Sequence, residues 1–429
     1  MAGKSQRESK RELKPKLRFP EFQAAPGWSP KQLGSICEVN PENDGLPESF
    51  VYIDLESVEA GSLVARKRIS RSDAPSRAQR VLADRDVIFQ MVRPYQRNNL
   101  FFDFADGEDY VASTGYAQLR AHISSEFLFQ LIHENSFVER VIAKCTGSNY
   151  PAINSADLAG IAVSFPPSPA EQRKIAECLS SLDELIGAES RKLEALQAHK
   201  KGLMQQLFPR EGETLPRLRF PEFKHEPEWE PQELGGMTTK VGSGITPTGG
   251  EKNYWKSGRQ FIRSQNVGWG CLLLDDVAFI DEETHSSFDG TELELNDVLL
   301  NITGASIGRS AIADSRIVGG NVNQHVCIIR TNRDELNPTF LNQYLISQNG
   351  QSQIDSFQAG GNRQGLNFGQ IRSFTIPVPK EEDEQSRIAQ CLSSVDEVLA
   401  QQWQAIESLR THKKGLMQQL FPSMEDAHA

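Results

Sequence analysis

Apolar residues between positions 175 and 207 recur in alternating steps of four and three. Ile175, Leu179, Leu182, Ile186, Leu193, Leu196, Leu203 and Leu207 lie on this seam, and only Glu189 and Lys200 interrupt it. A heptad spacing keeps one stripe of a helix facing a partner helix, so the length and strictness of the pattern predict a coiled coil rather than a core helix of a globular domain. The pattern returns at Ile388, Leu392, Val395, Leu399, Ile406, Leu409, Leu416 and Leu420, with Gln402 and Lys413 at the equivalent interruptions. No proline falls between Pro169 and Pro209, and a helix of about 38 residues spans roughly 57 Å at about 1.5 Å per residue.

These helices are parts of a larger internal repeat. The segment KLRFPEF at 16–22 returns as RLRFPEF at 217–223, and the same shift of 201 carries Trp28, Pro30, Leu33 and Gly34 onto Trp229, Pro231, Leu234 and Gly235. Residues 171–209 align without gaps to 384–422 at a shift of 213, with 23 of 39 positions identical. The change of shift, 213 minus 201, places 12 extra residues in the second variable region. Two copies are too few for a solenoid and predict a pseudo-twofold object. Because one whole variable region separates the helices, they can pair antiparallel and hold the variable regions at opposite ends of a rod.

The variable regions mix periods of two and 3.6, which indicates α+β globules. Residues 86–92, 111–120, 297–302 and 326–330 are rich in β-branched and aromatic residues and read as strands. DVIFQ at 86–90 faces DVLLN at 297–301, and Ile153-Asn154 faces Leu366-Asn367. Residues 124–143 and 338–357 read as amphipathic helices, the first with Phe127, Leu128, Leu131, Ile132, Val138 and Ile142 on its apolar face. The chain therefore divides into a basic tail (1–15), a first globule (16–168), a first long helix (169–209), a second globule (210–381), a second long helix (382–422) and a short tail (423–429).

At 429 residues the chain has room for two or three domains, and its 38% hydrophobic content contains no run of about 18 apolar residues that could cross a bilayer. The basic N-terminus lacks the apolar core of a secretory signal, so a cytoplasmic location is expected. Cys37, Cys145, Cys178, Cys271, Cys327 and Cys391 lie far apart without a C-x-x-C pair, which suits reduced structural thiols. The net charge of −11 argues against a nucleic-acid partner until clustering is considered. Residues 66–97 carry nine cations (Arg66, Lys67, Arg68, Arg71, Arg77, Arg80, Arg85, Arg93 and Arg97) against Asp73, Asp84 and Asp86. Such clustering on an acidic protein is compatible with one face turned to DNA.

Catalytic signatures are missing. GSGITPTGGEK, beginning at Gly242, lacks the Gly-Lys-hydroxyl end of a phosphate loop, the eight histidines form no ligand constellation, and no H-E-x-x-H or G-x-S-x-G occurs. Pro166-Pro167, in SFPPSP, does not form the loop of amino-methyltransferases. The polypeptide is expected to be no enzyme and to bind no metal. What remains is DNA-reading chemistry: guanidinium groups suit guanine edges or phosphates, and amides suit adenine edges. The candidates in the first region are Arg66, Lys67, Arg68, Arg71 and Arg77, the loop residues Arg93, Tyr95, Gln96, Arg97 and Asn98, and Ser148 and Asn149. In the second they are Thr246, Thr248, Tyr254, Arg263, Ser264, Gln265, Arg309, Asn323, Gln324, His325, Asn362, Arg363 and Gln364.

Over nearly its whole length the sequence resembles the specificity subunits of type I restriction-modification systems. The resemblance rests on LRFPEF followed by Trp at the head of each half, on EQ-x-x-IA-x-CLSS-x-DE opening each helix, and on the repeated HKKGLMQQLFP. GITPTGGEKNYW, NITGASIGR and GGNRQGLNFGQIRSFTIPVP add to it in the second region. It implies two target-recognition domains, each reading half of a split, asymmetric double-stranded DNA target, joined by an antiparallel helix pair acting as a ruler. It also implies two methyltransferase subunits carrying S-adenosylmethionine and restriction/translocase subunits using ATP and magnesium, with no cofactor held by this chain. The alternatives are a protein-only scaffold with a coiled-coil spacer and a specificity factor of a related defence complex.

Overall fold

The computed structural model describes residues 13–288, 290–358 and 365–424. The two heptad seams form helices of 39 residues each, Pro169–Leu207 and Glu382–Leu420. Pro169 is tolerated because the first helical residue needs no intrahelical N–H bond. Compactness does not follow the six consecutive segments read from the sequence, because it cuts both helices in the middle. One unit comprises Met1–Ser190 with Ala405–Ala429, and the other Arg191–Gln404.

The first unit holds two four-stranded sheets. One is fully antiparallel, in the order Cys37–Val39, Tyr116–Ala121, Val87–Gln90, Leu100–Phe101. The other runs Lys67–Ser70, Ser49–Ile53, Tyr110–Ser113, Ala78–Val81 and includes one parallel pair. A ribbon of Ser29–Gln32 against Ala162–Phe165 and a short hairpin of Val58–Glu59 with Ser62–Leu63 accompany them. The second unit repeats the plan with Thr238–Ser243, Val326–Thr331, Val298–Asn301 and Ser310–Ile312 in one sheet. Ala278–Ile280, Arg259–Ile262 and Asn321–Val322 form the other, and Glu230–Glu233 pairs with Thr375–Val378.

Three sequence expectations need correction. The single strand expected over 111–120 is two strands in different sheets, because the chain turns at Thr114-Gly115, where a Cβ on Gly115 would stand 3.1 Å from Leu55. The helix expected over 124–143 breaks into Ser125–Leu131 and Asn135–Lys144, since the Glu134 side chain accepts from the backbone N–H groups of Ser136 and Phe137 and starts a new helix. Ser347 divides 338–357 in the same way, into Pro338–Leu345 and Gln348–Ser356. After the break Ile142 is 42% exposed and leaves the apolar face it was expected to share.

Within each unit the start of one long helix packs beside the end of the other, so the pairing is antiparallel. Ile175, Ala176 and Leu179 share a core with Met417, Leu420 and Phe421 in the first unit. Met204, Leu207 and Phe208 share one with Ile388, Ala389 and Leu392 in the second. None of the sixteen seam residues is exposed, although nine of them, Leu182, Ile186, Leu193, Leu196 and Leu399 among them, are only half-buried. The lysine interruptions are used as ties. Lys413 Nζ lies 2.6 Å from both carboxylate oxygens of Asp183, which also accepts from Gln130 at 2.9 Å. At a shift of 213, Lys200 lies 2.7 Å from Asp396, which accepts from Gln343 at 2.7 Å. A polar residue in an apolar seam specifies register, because any slip leaves it unpaired.

Candidate nucleic-acid interface

Each unit rests on a buried clamp at the head of its long helix. Glu171, in the first turn of its helix and without exposed surface, accepts from Arg18 Nε at 2.7 Å, Arg18 Nη2 at 2.8 Å and the Trp28 indole N–H at 3.1 Å. Arg18 also donates to the carbonyls of Ala25 and Pro26. Glu384, Arg219 and Trp229 repeat this at 2.8, 2.7 and 3.3 Å. A second buried carboxylate precedes the central strand of each antiparallel sheet. Asp86 takes two bonds from Arg120, at 2.9 and 2.8 Å, and Asp297 takes two from Arg330, at 2.7 and 2.8 Å. Neither kind of clamp was legible in the sequence beyond the repeat of Trp28 as Trp229. Their one sequence signal is that every partner recurs in the second half, at shifts between 201 and 213.

The strand Val87–Gln90 leads into the loop 91–99, and Val298–Asn301 leads into 302–310 at a constant shift of 211. Each loop holds a short 3-10 turn, Pro94–Gln96 or Gly304–Ser306, and two left-handed residues four positions apart. In the second unit these are Gly304 and Gly308, with φ of 72° and 85°; in the first they are Arg93 and Arg97, with φ of 55° and 57°. The second residue before each strand is also left-handed, Arg85 at 63° and Asn296 at 70°. Left-handed backbone costs an L-residue with a Cβ roughly 1–2 kcal/mol, so the first unit carries strain at positions where the second has none or little.

The three strained arginines use their side chains differently. Arg85 pairs with Glu126. Arg97 donates to His133 O at 3.2 Å and Asn135 Oδ1 at 2.8 Å, an internal anchoring role that the sequence did not suggest. Arg93 stacks on the Tyr150 ring, 4.3 Å from its centroid, and its guanidinium donates to no described residue. Arg93 N–H donates to Pro151 O at 2.7 Å, which ties the loop to the 146–152 turn carrying Ser148 and Asn149. Tyr95 and Gln96 are exposed, while Asn98 is fastened to Ala60 N and Gln90 Oε1.

Counting charges along the chain overstates the basic run. Arg66 is 2.8 Å from Asp106 and lies over Phe104, Arg68 pairs with Glu108, and Arg71 donates to the carbonyls of Leu46 and Pro47. The Tyr110 hydroxyl and then Arg66 hold the Asp106 carboxyl below its usual range. Lys67 and Arg77 are exposed and have no such partners among the described residues. The 67–70 strand and the 91–99 loop belong to different sheets, and no hydrogen bond or ion pair among the described residues joins these two groups.

In the second unit the structure joins the 302–310 loop to the turn at Asn323-Gln324-His325. Ile302 N–H donates to His325 O at 3.0 Å, and Thr303 Oγ1 lies 2.7 Å from His325 Nδ1. Arg309 makes no ion pair among the described residues, Gln324 is exposed, and Asn323 is spent on His325 N–H. Arg263 is occupied by Asp276 at 3.1 Å and lies over the half-buried Tyr254, while Gln265 also donates to Asp276 and Ser264 O accepts from Asn301. Thr246 Oγ1 is buried without a partner, and Thr248 is exposed. Asn362, Arg363 and Gln364 lie outside the described residues.

His133, whose carbonyl anchors Arg97, gives the first unit a pH response. Nδ1 lies 2.7 Å from Phe129 O, a group that only accepts, so the proton is on Nδ1 and Nε2 faces Asn99 at 3.3 Å. Burial pushes the imidazole down to about 4, below the roughly 6.5 of an unfolded histidine. The native state therefore binds fewer protons between these values, and its advantage, complete above pH 6.5, is lost as pH falls towards 4. Unfolding of the first unit should become easier by about 2 kcal/mol between about pH 7 and pH 5. His133→Gln should flatten that part of the stability profile in calorimetry.

Comparison with known proteins returns one family twice. The type I restriction modification DNA specificity domain is matched over residues 27–198 and again over 226–408. The chain is similar to the type I restriction enzyme MjaVIII specificity subunit of Methanocaldococcus jannaschii, 24% identical over 279 residues, covering 64% of each protein. It is also similar to the HindI specificity subunit of Haemophilus influenzae, 25% identical over 170 residues, covering 38% of this chain and 34% of that one. The matches thus span less than two thirds of these relatives. Among solved structures, the type I S subunit from M. genitalium shares the fold with a TM-score of 0.61 at 16% identity, over 96% of this chain and 100% of that one. A chain from a study of complex assembly and conformational transition of the type I R-M system does so at 0.53 and 21% identity, over 92% and 98%. No helix among the described residues is long and apolar enough to cross a membrane. With both halves matched, this chain belongs to the type I restriction modification DNA specificity family.

Proposed function

We propose that this chain is the DNA sequence-specificity subunit of a type I restriction-modification complex, non-catalytic itself and acting in the cytoplasm. Each unit reads one half of a bipartite, asymmetric duplex target, and the paired helices set the spacing. Two methyltransferase subunits bringing S-adenosylmethionine, and restriction subunits using ATP and magnesium, supply the chemistry. The observation that carries this reading is a duplicated frame with unlike tips. The clamps, the helix ties and the backbone of the 91–99 and 302–310 loops recur, while Arg93 and Arg97 stand where the other unit has Gly304 and Gly308. Repeated surfaces suit two copies of one partner, and differing tips suit two different half-sites.

The test is reconstitution with a methyltransferase subunit, followed by DNA binding at several salt concentrations and mapping of the methylated adenines. The expected outcome is binding that weakens steeply with salt and methylation at two unlike half-sites a constant distance apart. Salt-independent or absent DNA binding would favour a protein-only scaffold. Neighbouring genes that supply a methyltransferase but no nuclease subunit would point to a related defence complex.

A further inference from the structure

We propose that Arg93 is a specificity-determining residue whose guanidinium, presented on the Tyr150 ring, donates to the O6/N7 edge of one guanine in the half-site read by the first unit. The proposal rests on the DNA-reading function above and assigns one base contact within it. Three positions around this loop are left-handed in both units, and the second unit fills them with Asn296, Gly304 and Gly308, residue types that accept such backbone readily. The first fills all three with arginine. Strain of this kind persists where the side chain repays it. For Arg85 the return is the ion pair with Glu126, and for Arg97 it is the pair of bonds to His133 O and Asn135. Arg93 has no such internal return.

Its surroundings indicate what the return is. The ring of Tyr150, itself 65% exposed, lies 4.3 Å from the guanidinium carbon and holds the group without using its donors. Nε is shielded and unpartnered, and the terminal nitrogens donate to nothing among the described residues. A phosphate requires only a nearby positive charge, which exposed Lys67 or Arg77 provides on relaxed backbone. A planar fork fixed in direction, with two parallel donors left over, matches the paired acceptors of guanine in the major groove.

The experiment selects preferred sequences from a random duplex library with reconstituted wild-type, Arg93→Gly and Arg93→Lys complexes, and melts each protein. Arg93→Gly should melt at or above the wild-type temperature because the strain is relieved. It should lose discrimination by about ten- to a hundredfold at a single G·C pair of one half-site, leaving the other half-site as it was. Arg93→Lys should retain the salt dependence but not regain that base preference. Full retention of the wild-type preference by Arg93→Gly, or uniform weakening across all sequences as for a phosphate contact, would overturn the assignment while leaving the DNA-reading function standing. A wild-type complex that selects no sequence would overturn that function and the assignment together.

Discussion

Arg18→Met is expected to destabilise the first unit by about 3–5 kcal/mol, the cost of leaving a buried carboxylate without its cation. Glu171 has no exposed surface and receives three bonds, two of them from Arg18. Without Arg18 it keeps the Trp28 indole and the favourable end of its own helix, which together offset only part of the lost pairing. The carbonyls of Ala25 and Pro26 lose their donor as well. Arg18→Met with Glu171→Gln should recover much of the loss, since the charge and not the shape is what burial penalises. Arg219→Met should act equally on the second unit through Glu384. Calorimetric unfolding of each single and double variant measures this; a loss below about 1 kcal/mol, typical of a surface ion pair, would show that the clamp does not bear on stability.

Much of the scaffold was legible because its signals are periodic or repeated. Heptad steps locate both long helices, and the shift of 213 marks Lys200 and Lys413 as equivalent breaks. Their partners Asp183 and Asp396 were not legible, because the contact crosses between helices more than 190 residues apart in sequence. The same limit hid the neutralisation of the basic run. Asp106 and Glu108 lie 40 residues beyond Arg66 and Arg68 and are brought to them by the strand Ser49–Ile53, which pairs with both Lys67–Ser70 and Tyr110–Ser113. The candidate site was legible only as composition. Arg93 and Arg97 look alike in sequence, and only the backbone and the partners separate an anchored arginine from one with donors to spare. Aligning the 91–99 loop onto 302–310 would have placed both opposite glycines and signalled left-handed backbone.

The largest expected effect comes from lengthening both helices by one heptad, after Ser190 and after Trp403, positions related by the repeat shift of 213. Seven residues preserve the seam, so the clamps and the Asp183–Lys413 and Lys200–Asp396 ties stay in register. If the helices set the spacing of the half-sites, each is about 10.5 Å longer, close to three base-pair rises of about 3.4 Å. Affinity for the original target should then fall to the non-specific level, a drop of about a thousandfold or more. It should return on a target whose spacer is three base pairs longer. The return should be incomplete, because about three base pairs also turn the duplex by roughly 100°, whereas a heptad turns the helix pair far less, and the DNA must twist to meet both units. Binding to targets whose spacer varies one base pair at a time locates the optimum. An optimum still at the original spacer would mean that something other than the helices sets the distance, and an insertion of five residues, which breaks the seam, should abolish assembly rather than move the optimum.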